Sequence, residues 1–346
     1  MSVAIVTGSN GLIGSECVRR FCYMFDTVVG IDNDMRSYFF GPEASTIDIG
    51  KELSNRYDNY IQVSADIRSE EDLEPIFNFY NSDIELIVHT AAQPSHDWAC
   101  KEPKTDFGIN AIGTLNLLEL YKQRCPEASF IFTSTNKVYG DRPNTLDLIE
   151  LDTRYDTLDL SGVDESMSID NCKHSIFGAS KLAADIMVQE YGKYFGLNTV
   201  SFRGGCLTGG NHKSVKLHGF LSYLVKCVQN NEKYEIIGYK GKQVRDNIHS
   251  TDLVNAFLHY HKKPISGAVY NIGGGRDNSL SIIEAINLIN KLCEKQWTNF
   301  TVTDKPRVGD HQWYITDFSK FKKDYNEWNI SISLEDIIMD IMENSK

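Results

Sequence analysis

Basic side chains are in short supply. The 346 residues carry 35 Lys and Arg against 47 Asp and Glu, a formal net charge of -12. A surface that acidic repels polyanions, so a nucleic-acid partner or an anionic membrane surface is not expected, and only a local basic pocket could hold a phosphate. Long apolar runs are missing as well. No stretch approaches the roughly 20 residues a membrane-spanning helix needs, and no membrane partner is expected. The chain opens on a strand-like segment, with no charged n-region followed by an apolar h-region, so a cytoplasmic protein without a signal peptide is expected. Eight cysteines are scattered (Cys17, Cys22, Cys100, Cys125, Cys172, Cys206, Cys227 and Cys293) with no C-x-x-C pair and no Cys/His cluster at zinc spacing. They read as small, mostly buried hydrophobes in a reducing compartment, and no metal site is expected. Internal repeats and low-complexity tracts are also lacking. With 41% hydrophobic and 24% charged residues the composition is that of an ordinary globular chain, which excludes disorder and fibres.

What the sequence does contain is an alternation of short apolar runs and longer helical patterns. Ser2–Thr7 is a continuous β-branched run ending at a glycine, as expected for a strand buried on both faces of a parallel sheet. A helix is expected over Leu12–Met24, then strands at Thr27–Asp32, Ile61–Ser64, Leu86–His89, Phe130–Ser134 and Asn198–Phe202. Helical patterns fall between them near Glu70–Tyr80, Thr105–Lys122 and Ser175–Phe195. This rhythm predicts an α/β fold: a doubly wound parallel sheet of the Rossmann type. After Arg203 glycines punctuate the chain and the alternation loosens. The expected division is therefore a dinucleotide-binding domain over 1–203 and a smaller α/β substrate-binding lobe over 204–346, some segments of which cross back to the sheet. The stretch Asp141–Asp170 is long, polar and irregular, a pattern usually functional or mobile.

The first strand runs into Gly8-Ser9-Asn10-Gly11-Leu12-Ile13-Gly14. Glycines at this spacing permit a tight turn, close approach of backbone to a pyrophosphate, and tight packing of helix on strand. The following helix aims its free N–H groups at the phosphates. Asp32 closes the second strand, where a carboxylate accepts hydrogen bonds from an adenosine ribose and repels a 2′-phosphate, favouring NAD over NADP as cofactor.

Gly8–Gly14, Asp32, Asp66-Ile67, Ala91-Ala92, Asn110 with Gly113-Thr114, Ser180-Lys181, Arg245-Asp246-Asn247-Ile248-His249 and Asn271-Ile272-Gly273-Gly274 resemble the extended short-chain dehydrogenases, a family of nucleotide-sugar epimerases and dehydratases. The likeness spans nearly the whole chain. Ser134–Asp141 and Gly241–Asp246 look most like the CDP-paratose 2-epimerases within it. The resemblance implies an NAD-dependent isomerase with a nucleotide-diphosphate sugar as substrate, assembled as a homo-oligomer, a dimer or tetramer. It implies that Asn33 joins Asp32 at the ribose, that Asp66 and Ile67 meet the adenine, and that Ala91, Ala92 and Gln93 line the cofactor. Asn110 would hold its helix in place. Thr133 and Ser134 would sit beside the nicotinamide, with Arg203 and Gly205 closing the cofactor site. Thr135 would hydrogen-bond the reacting sugar oxygen, and Lys181 would bind the nicotinamide ribose. On the substrate side it implies Ser95, His96, Asn136, Lys137, Phe177 and Cys206. Further along the chain it implies Gly219, Ile237, Arg245, Arg307 and Asp310, the two arginines clamping the diphosphate.

One position departs from the family. Its tyrosine–lysine pair stands at i and i+4 on one helix face. Here Lys181 is present, but Phe177 occupies the tyrosine position and has no proton to trade. Three explanations stand open: another group takes the proton, the phenylalanine is an engineered exchange, or the protein binds NAD and a nucleotide sugar without turnover. For the first, Asp97, His96 and Cys206 are candidates, with Tyr139 and His174 behind them. Dehydratases of the family carry an acid pair directly after the catalytic Thr, whereas Thr135 is followed by Asn136-Lys137. The expectation is therefore epimerisation by hydride removal and return at carbon 2, with carbon 4 or a plain dehydrogenase as alternatives.

Overall fold

The computed structural model describes residues 1–210, 219–304 and 309–344. Arg307 lies outside the described residues.

In chain order the elements begin β1 (Val3–Thr7), α1 (Leu12–Phe21), β2 (Thr27–Ile31), α2 (Met35–Phe40), α3 (Ile47–Arg56), β3 (Tyr60–Val63), α4 (Glu70–Tyr80) and β4 (Ile84–His89). They continue with α5 (His96–Lys101), α6 (Pro103–Phe107), a π turn (Gly108–Ile112), α7 (Gly113–Arg124), β5 (Ser129–Thr135), β6 (Ile149–Glu150), β7 (Tyr155–Asp156) and α8 (Ser175–Phe195). Next come β8 (Asn198–Gly204), β9 (Cys206–Thr208), α9 (Phe220–Asn230), β10 (Tyr234–Ile237), β11 (Val244–His249), α10 (Ser250–Lys262) and β12 (Ala268–Ile272). The chain ends with β13 (Ser279–Ser281), α11 (Ile282–Leu292), β14 (Phe300–Thr303), β15 (Trp313–Tyr314), α12 (Ser319–Asp324) and α13 (Leu334–Asn344).

Two compact units result. The first comprises Met1–Val138, Ile176–Arg203 and Val254–Tyr270; the second comprises Tyr139–Ser175, Gly204–Leu253 and Asn271–Lys346. The first is built on a seven-stranded sheet of order β12-β8-β5-β4-β1-β2-β3. The pairings from β5 through β4, β1 and β2 to β3 are parallel. The chain order reverses at β1 and β4, whose carboxyl ends are level: Thr7 pairs with Ile31 on one side and His89 on the other. Such a switch point opens a crevice at the carboxyl edge of a doubly wound sheet.

The residues explain the layers. All five side chains of β1 are buried, so a β-branched strand is sandwiched between helical layers. One layer packs Leu73, Phe77, Leu117, Tyr121, Phe130 and Val188 into a common core. Helix α4 starts where its sequence directs: the Ser69 side chain accepts from the Asp72 N–H, and Glu70, Glu71 and Asp72 complement the positive end of the helix. The seventh strand, β12, comes from beyond Arg203. A return of some segment from beyond Arg203 was expected, and strand pairing at the sheet edge decides which segment it is. Residues 35–56, between β2 and β3, form α2 and α3, two helices absent from the sequence-based expectation. The helix expected as one piece over Thr105–Lys122 is interrupted by the π turn.

In the second unit, β11 pairs antiparallel with β13 and parallel with β15 and β9, while β10 pairs with β14. Leu224, Val228, Ile236, Ile286, Ile289 and Ile338 form its core. The polar stretch Asp141–Asp170 is tied down within it. Arg154 forms a bidentate pair with Glu284, which also closes a capping box with Ser281 at the start of α11.

Candidate active site

The cradle after β1 is made of backbone. Gly8 adopts φ +68, and a Cβ there would lie 2.8 Å from the Ala91 nitrogen. A Cβ on Gly14 would sit 2.0 Å from the Gly8 carbonyl oxygen, and one on Gly11 would be 3.2 Å from the same atom. Helix α1 has no side-chain cap and no acidic residue in its first turn, so the N–H groups of Leu12, Ile13 and Gly14 face no competing carboxylate. Asp32 stands beside this end. Its Oδ2 accepts from the Asn10 N–H at 3.0 Å and its Oδ1 from the Asp34 N–H at 2.9 Å, while burial pushes its carboxyl up. Asn33 accepts from the Met35 N–H. Asp34 adopts φ 54 and gathers Ser45 and Thr46, holding the α2–α3 insertion against β2. Backbone donors aimed outward, glycines that admit no side chain and one partly free carboxylate are what a dinucleotide's pyrophosphate and ribose require, so the cradle fits NAD. Asp66 pairs with Arg68, while Ile67 packs its side chain against Gly113.

Past β4 the chain turns through Ala91, Ala92 and Gln93 into α5, held by a buried polar lattice. Asn110, in the π turn, accepts from the Gln93 N–H at 3.0 Å. Its amide donates to Gln93 O, Asp106 Oδ1 and Ser180 Oγ. Gln93 in turn donates to Asp106 Oδ1 at 2.7 Å and to Ser95 O at 2.9 Å, and accepts from the Ser95 N–H at 2.6 Å. Asp106 Oδ2 is buried with no hydrogen-bond partner, and burial raises its carboxyl. Sequence reasoning named Asn110 and Gln93 but missed Asp106, although it precedes Asn110 by one helical turn on the same face.

Helix α8 delivers Phe177, Lys181 and Asp185, each one turn after the last. Lys181 Nζ donates to Thr133 O at 2.8 Å and lies 4.0 Å from the centre of the Phe132 ring. Burial pushes its ammonium down to about 7, against the opposing pull of Asp185 and Asp106. Phe177 is buried and meets the half-buried His96 ring edge-on, centroids 4.9 Å apart. Asp97 is exposed on the first turn of α5. Thr133 donates to His89 O, and Thr135 Oγ1 accepts from the Lys137 N–H. Asn136 is buried and Lys137 half-buried just beyond. Ser134 and Arg203 turn elsewhere: both bond the fully buried Asp185, Ser134 Oγ at 2.5 Å and Arg203 through two nitrogens. Both compensate a carboxylate that would otherwise be costly at that depth.

His89 was overlooked as well. It is fully buried, with Nδ1 2.7 Å from Thr7 Oγ1 and Nε2 2.9 Å from Thr114 Oγ1. Thr114 spends its only proton on Asn110 O, so Nε2 carries the hydrogen and Nδ1 accepts from Thr7. Burial drives its pKa down to about 3, so the ring is a neutral staple joining β1, β4 and α7.

In the second unit Arg245 bonds Asp310 and the His311 carbonyl, so two residues expected at the substrate meet as an ion pair. Lys240 and Lys242 both pair with Glu150. Gly205 donates to Ile272 O, and Cys206 is half-buried at the start of β9, next to Asn247 of β11. Gly219 precedes α9 with φ +88, and Ile237 ends β10. All eight cysteines are free thiols. Among the described residues no group of three or more His, Cys, Asp and Glu could hold a metal ion, and no helix is long and apolar enough to cross a membrane.

A doubly wound sheet with a glycine cradle, a carboxylate at the end of β2 and a buried lysine beside β5 defines a nicotinamide-dependent enzyme of the short-chain dehydrogenase type. The chain belongs to the NAD dependent epimerase/dehydratase family, whose pattern matches residues 4–273, and NAD is its cofactor. It is 34% identical over 288 residues to the CDP-paratose 2-epimerase of Salmonella typhi, covering 80% of this chain and 82% of that protein. It is 28% identical to the dTDP-glucose 4,6-dehydratase of Salmonella typhimurium, covering 92% and 86%. Among solved structures, UDP-glucose 4-epimerase from Thermotoga maritima with UDP-glucose has the same fold, with a TM-score of 0.79 at 24% identity over 99% of this chain and 98% of that one.

Proposed function

We propose that this protein inverts carbon 2 of a CDP-bound hexose by removing and returning a hydride. The observation that carries the reading is the 34% identity to CDP-paratose 2-epimerase across 80% of the chain. The residues after Thr135 agree with it. Elimination of water needs a proton donor for the leaving hydroxyl and a base at the neighbouring carbon, and Asn136-Lys137 supplies no carboxylate there.

In this reading Gly8, Asn10, Gly11, Leu12, Ile13 and Gly14 hold the pyrophosphate of NAD and Asp32 grips its adenosine ribose. When bound, NAD supplies the hydride acceptor and, on return, the donor. Lys181 orients the nicotinamide ribose from its buried seat, and Thr135 hydrogen-bonds the reacting oxygen. Arg245, braced by Asp310, faces the diphosphate. Because each cycle returns what it removes, the cofactor is not consumed. The exposed apolar side chains Ile112, Ile186, Tyr194 and Phe195 support self-association through the π turn before α7 and through α8, which sedimentation would read.

The test is incubation of the purified protein and NAD with CDP-paratose, with UDP-glucose and dTDP-glucose in parallel, followed by proton NMR of the products. Conversion of CDP-paratose to CDP-tyvelose without net NADH is expected. Inversion at carbon 4 alone, net NADH release, or binding without turnover would each overturn the reading.

A further inference from the structure

A carbinol cannot give up hydride cleanly while its hydroxyl keeps its proton, so a proton acceptor must lie within reach of the reacting oxygen. The side chains named from the sequence divide sharply on this point. Phe177 has no exchangeable proton. Lys181 is committed to Thr133 O at 2.8 Å, over the Phe132 ring. Tyr139, His174 and Cys206 lie in the second unit: the tyrosine hydroxyl donates to Asn271 Oδ1 at 2.7 Å, His174 Nε2 donates to Ile169 O at 2.8 Å and leaves a buried Nδ1, and Cys206 opens β9. Asp97 is exposed.

His96 lies in the first unit, as do Phe177 and Lys181. Its ring packs against the ring of Phe177, one helical turn before Lys181. It is half-buried, so the surroundings restrain it without sealing it from a ligand. Its backbone is not free to wander either. Ser95 is clamped by Gln93, Gln93 by Asp106 and Asn110, and Asn110 by Ser180 on α8 itself. Ser180 also donates to the Phe177 carbonyl. The lattice that fixes the loop is therefore anchored to the same turn of α8 that carries Phe177 and Lys181.

We propose that His96 is the proton-transferring residue of this enzyme, an imidazole set against Phe177 that takes and returns the sugar hydroxyl proton. The inference rests on the epimerase reading. In the forward half of the cycle the O–H bond at the reacting carbon breaks towards an imidazole nitrogen, while the hydrogen on that carbon leaves with both bonding electrons for NAD, and a ketone remains on the sugar. In the return half the imidazolium gives its proton back to the ketone oxygen as the electron pair comes back to carbon. No other oxidant or reductant is needed.

The experiment compares wild type, H96Q, F177Y and H96Q/F177Y, each loaded with NAD and given CDP-paratose, UDP-glucose and dTDP-glucose. NAD affinity is measured by calorimetry to confirm an intact fold. H96Q should lose roughly 100- to 10,000-fold in kcat with NAD affinity unchanged, and H96Q/F177Y should recover at least about tenfold of that loss, because a phenol is restored where the imidazole worked. In wild type, the ring signals of His96 in isotope-labelled protein should shift when the nucleotide sugar joins the NAD complex. Retained kcat in H96Q overturns the proposal, as does a loss that F177Y does not repair together with unmoved His96 signals. Inversion at carbon 4 with the same His96 dependence would overturn the carbon 2 reading alone. Absence of turnover in wild type with every nucleotide sugar would overturn both.

Discussion

The cradle after β1 and the corner where His96 meets Phe177 belong to one unit and are built by opposite means. The cradle consists of backbone: three glycines, free N–H groups and one carboxylate. The corner consists of side chains from the loop after β4, the π turn and α8, joined by a polar lattice centred on Asn110. A backbone site is defined by what it excludes, since nearly any added side-chain atom collides with a neighbouring strand or turn. A side-chain site is defined by what it connects. It can change its chemistry, as the Phe177 position does, provided the lattice still presents a working group.

The largest effect should come from adding volume to the cradle. Gly14→Val would drive its first side-chain atom to 2.0 Å from the Gly8 carbonyl oxygen. The backbone must then shift, and a loss of about 3 kcal/mol or more in denaturant unfolding, with no calorimetric signal for NAD, is expected. A variant that binds NAD normally would show that the cradle is not backbone-limited. Asn110→Ala tests the other construction. It leaves Asp106, Ser180 and the Gln93 backbone short of partners at a cost of about 1–3 kcal/mol for each group orphaned. A lower Tm with NAD affinity changed less than activity would separate lattice from cradle. Equal losses of both would merge them.

The most gradual effect sits on Lys181 and is read through pH. Its folded-state pKa is lowered to about 7 from the ordinary 10.5. Between those values the unfolded chain holds a proton the folded chain has released, so stability rises with pH. The burial penalty is complete below the folded pKa and gone above the unfolded one. Relative to Lys181→Met, the ligand-free wild type should gain about 1 kcal/mol per pH unit across that window in chemical denaturation. A flat difference would mean that the lysine is better solvated than its burial implies.

How much of this was legible varies with the physics of each part. Strands β1, β2, β4 and β5, helices α4 and α8, and the glycine cradle follow from local pattern, because β-branched runs and glycine spacing act within a few residues. That a segment beyond Arg203 returns to the sheet was expected, but which strand fills the edge was not legible, since membership of a sheet is decided by a neighbour far away in sequence. Neither was the turn of Ser134 and Arg203 towards Asp185, nor the meeting of Arg245 with Asp310. In each case a charged or hydroxylic side chain had two possible destinations, and burial together with the nearest counter-charge selected one.

Local chemistry along the chain was enough to specify a phosphate-binding turn, a carboxylate that prefers NAD and a lysine without its tyrosine, because these depend on residue type and short-range geometry. Which side chain stands against Phe177 in the tyrosine's place was settled only when the loop after β4, the π turn and α8 came together. Hydrogen bonds among Gln93, Asp106, Asn110 and Ser180 join residues that the chain keeps far apart, and only folding brings their donors and acceptors within reach.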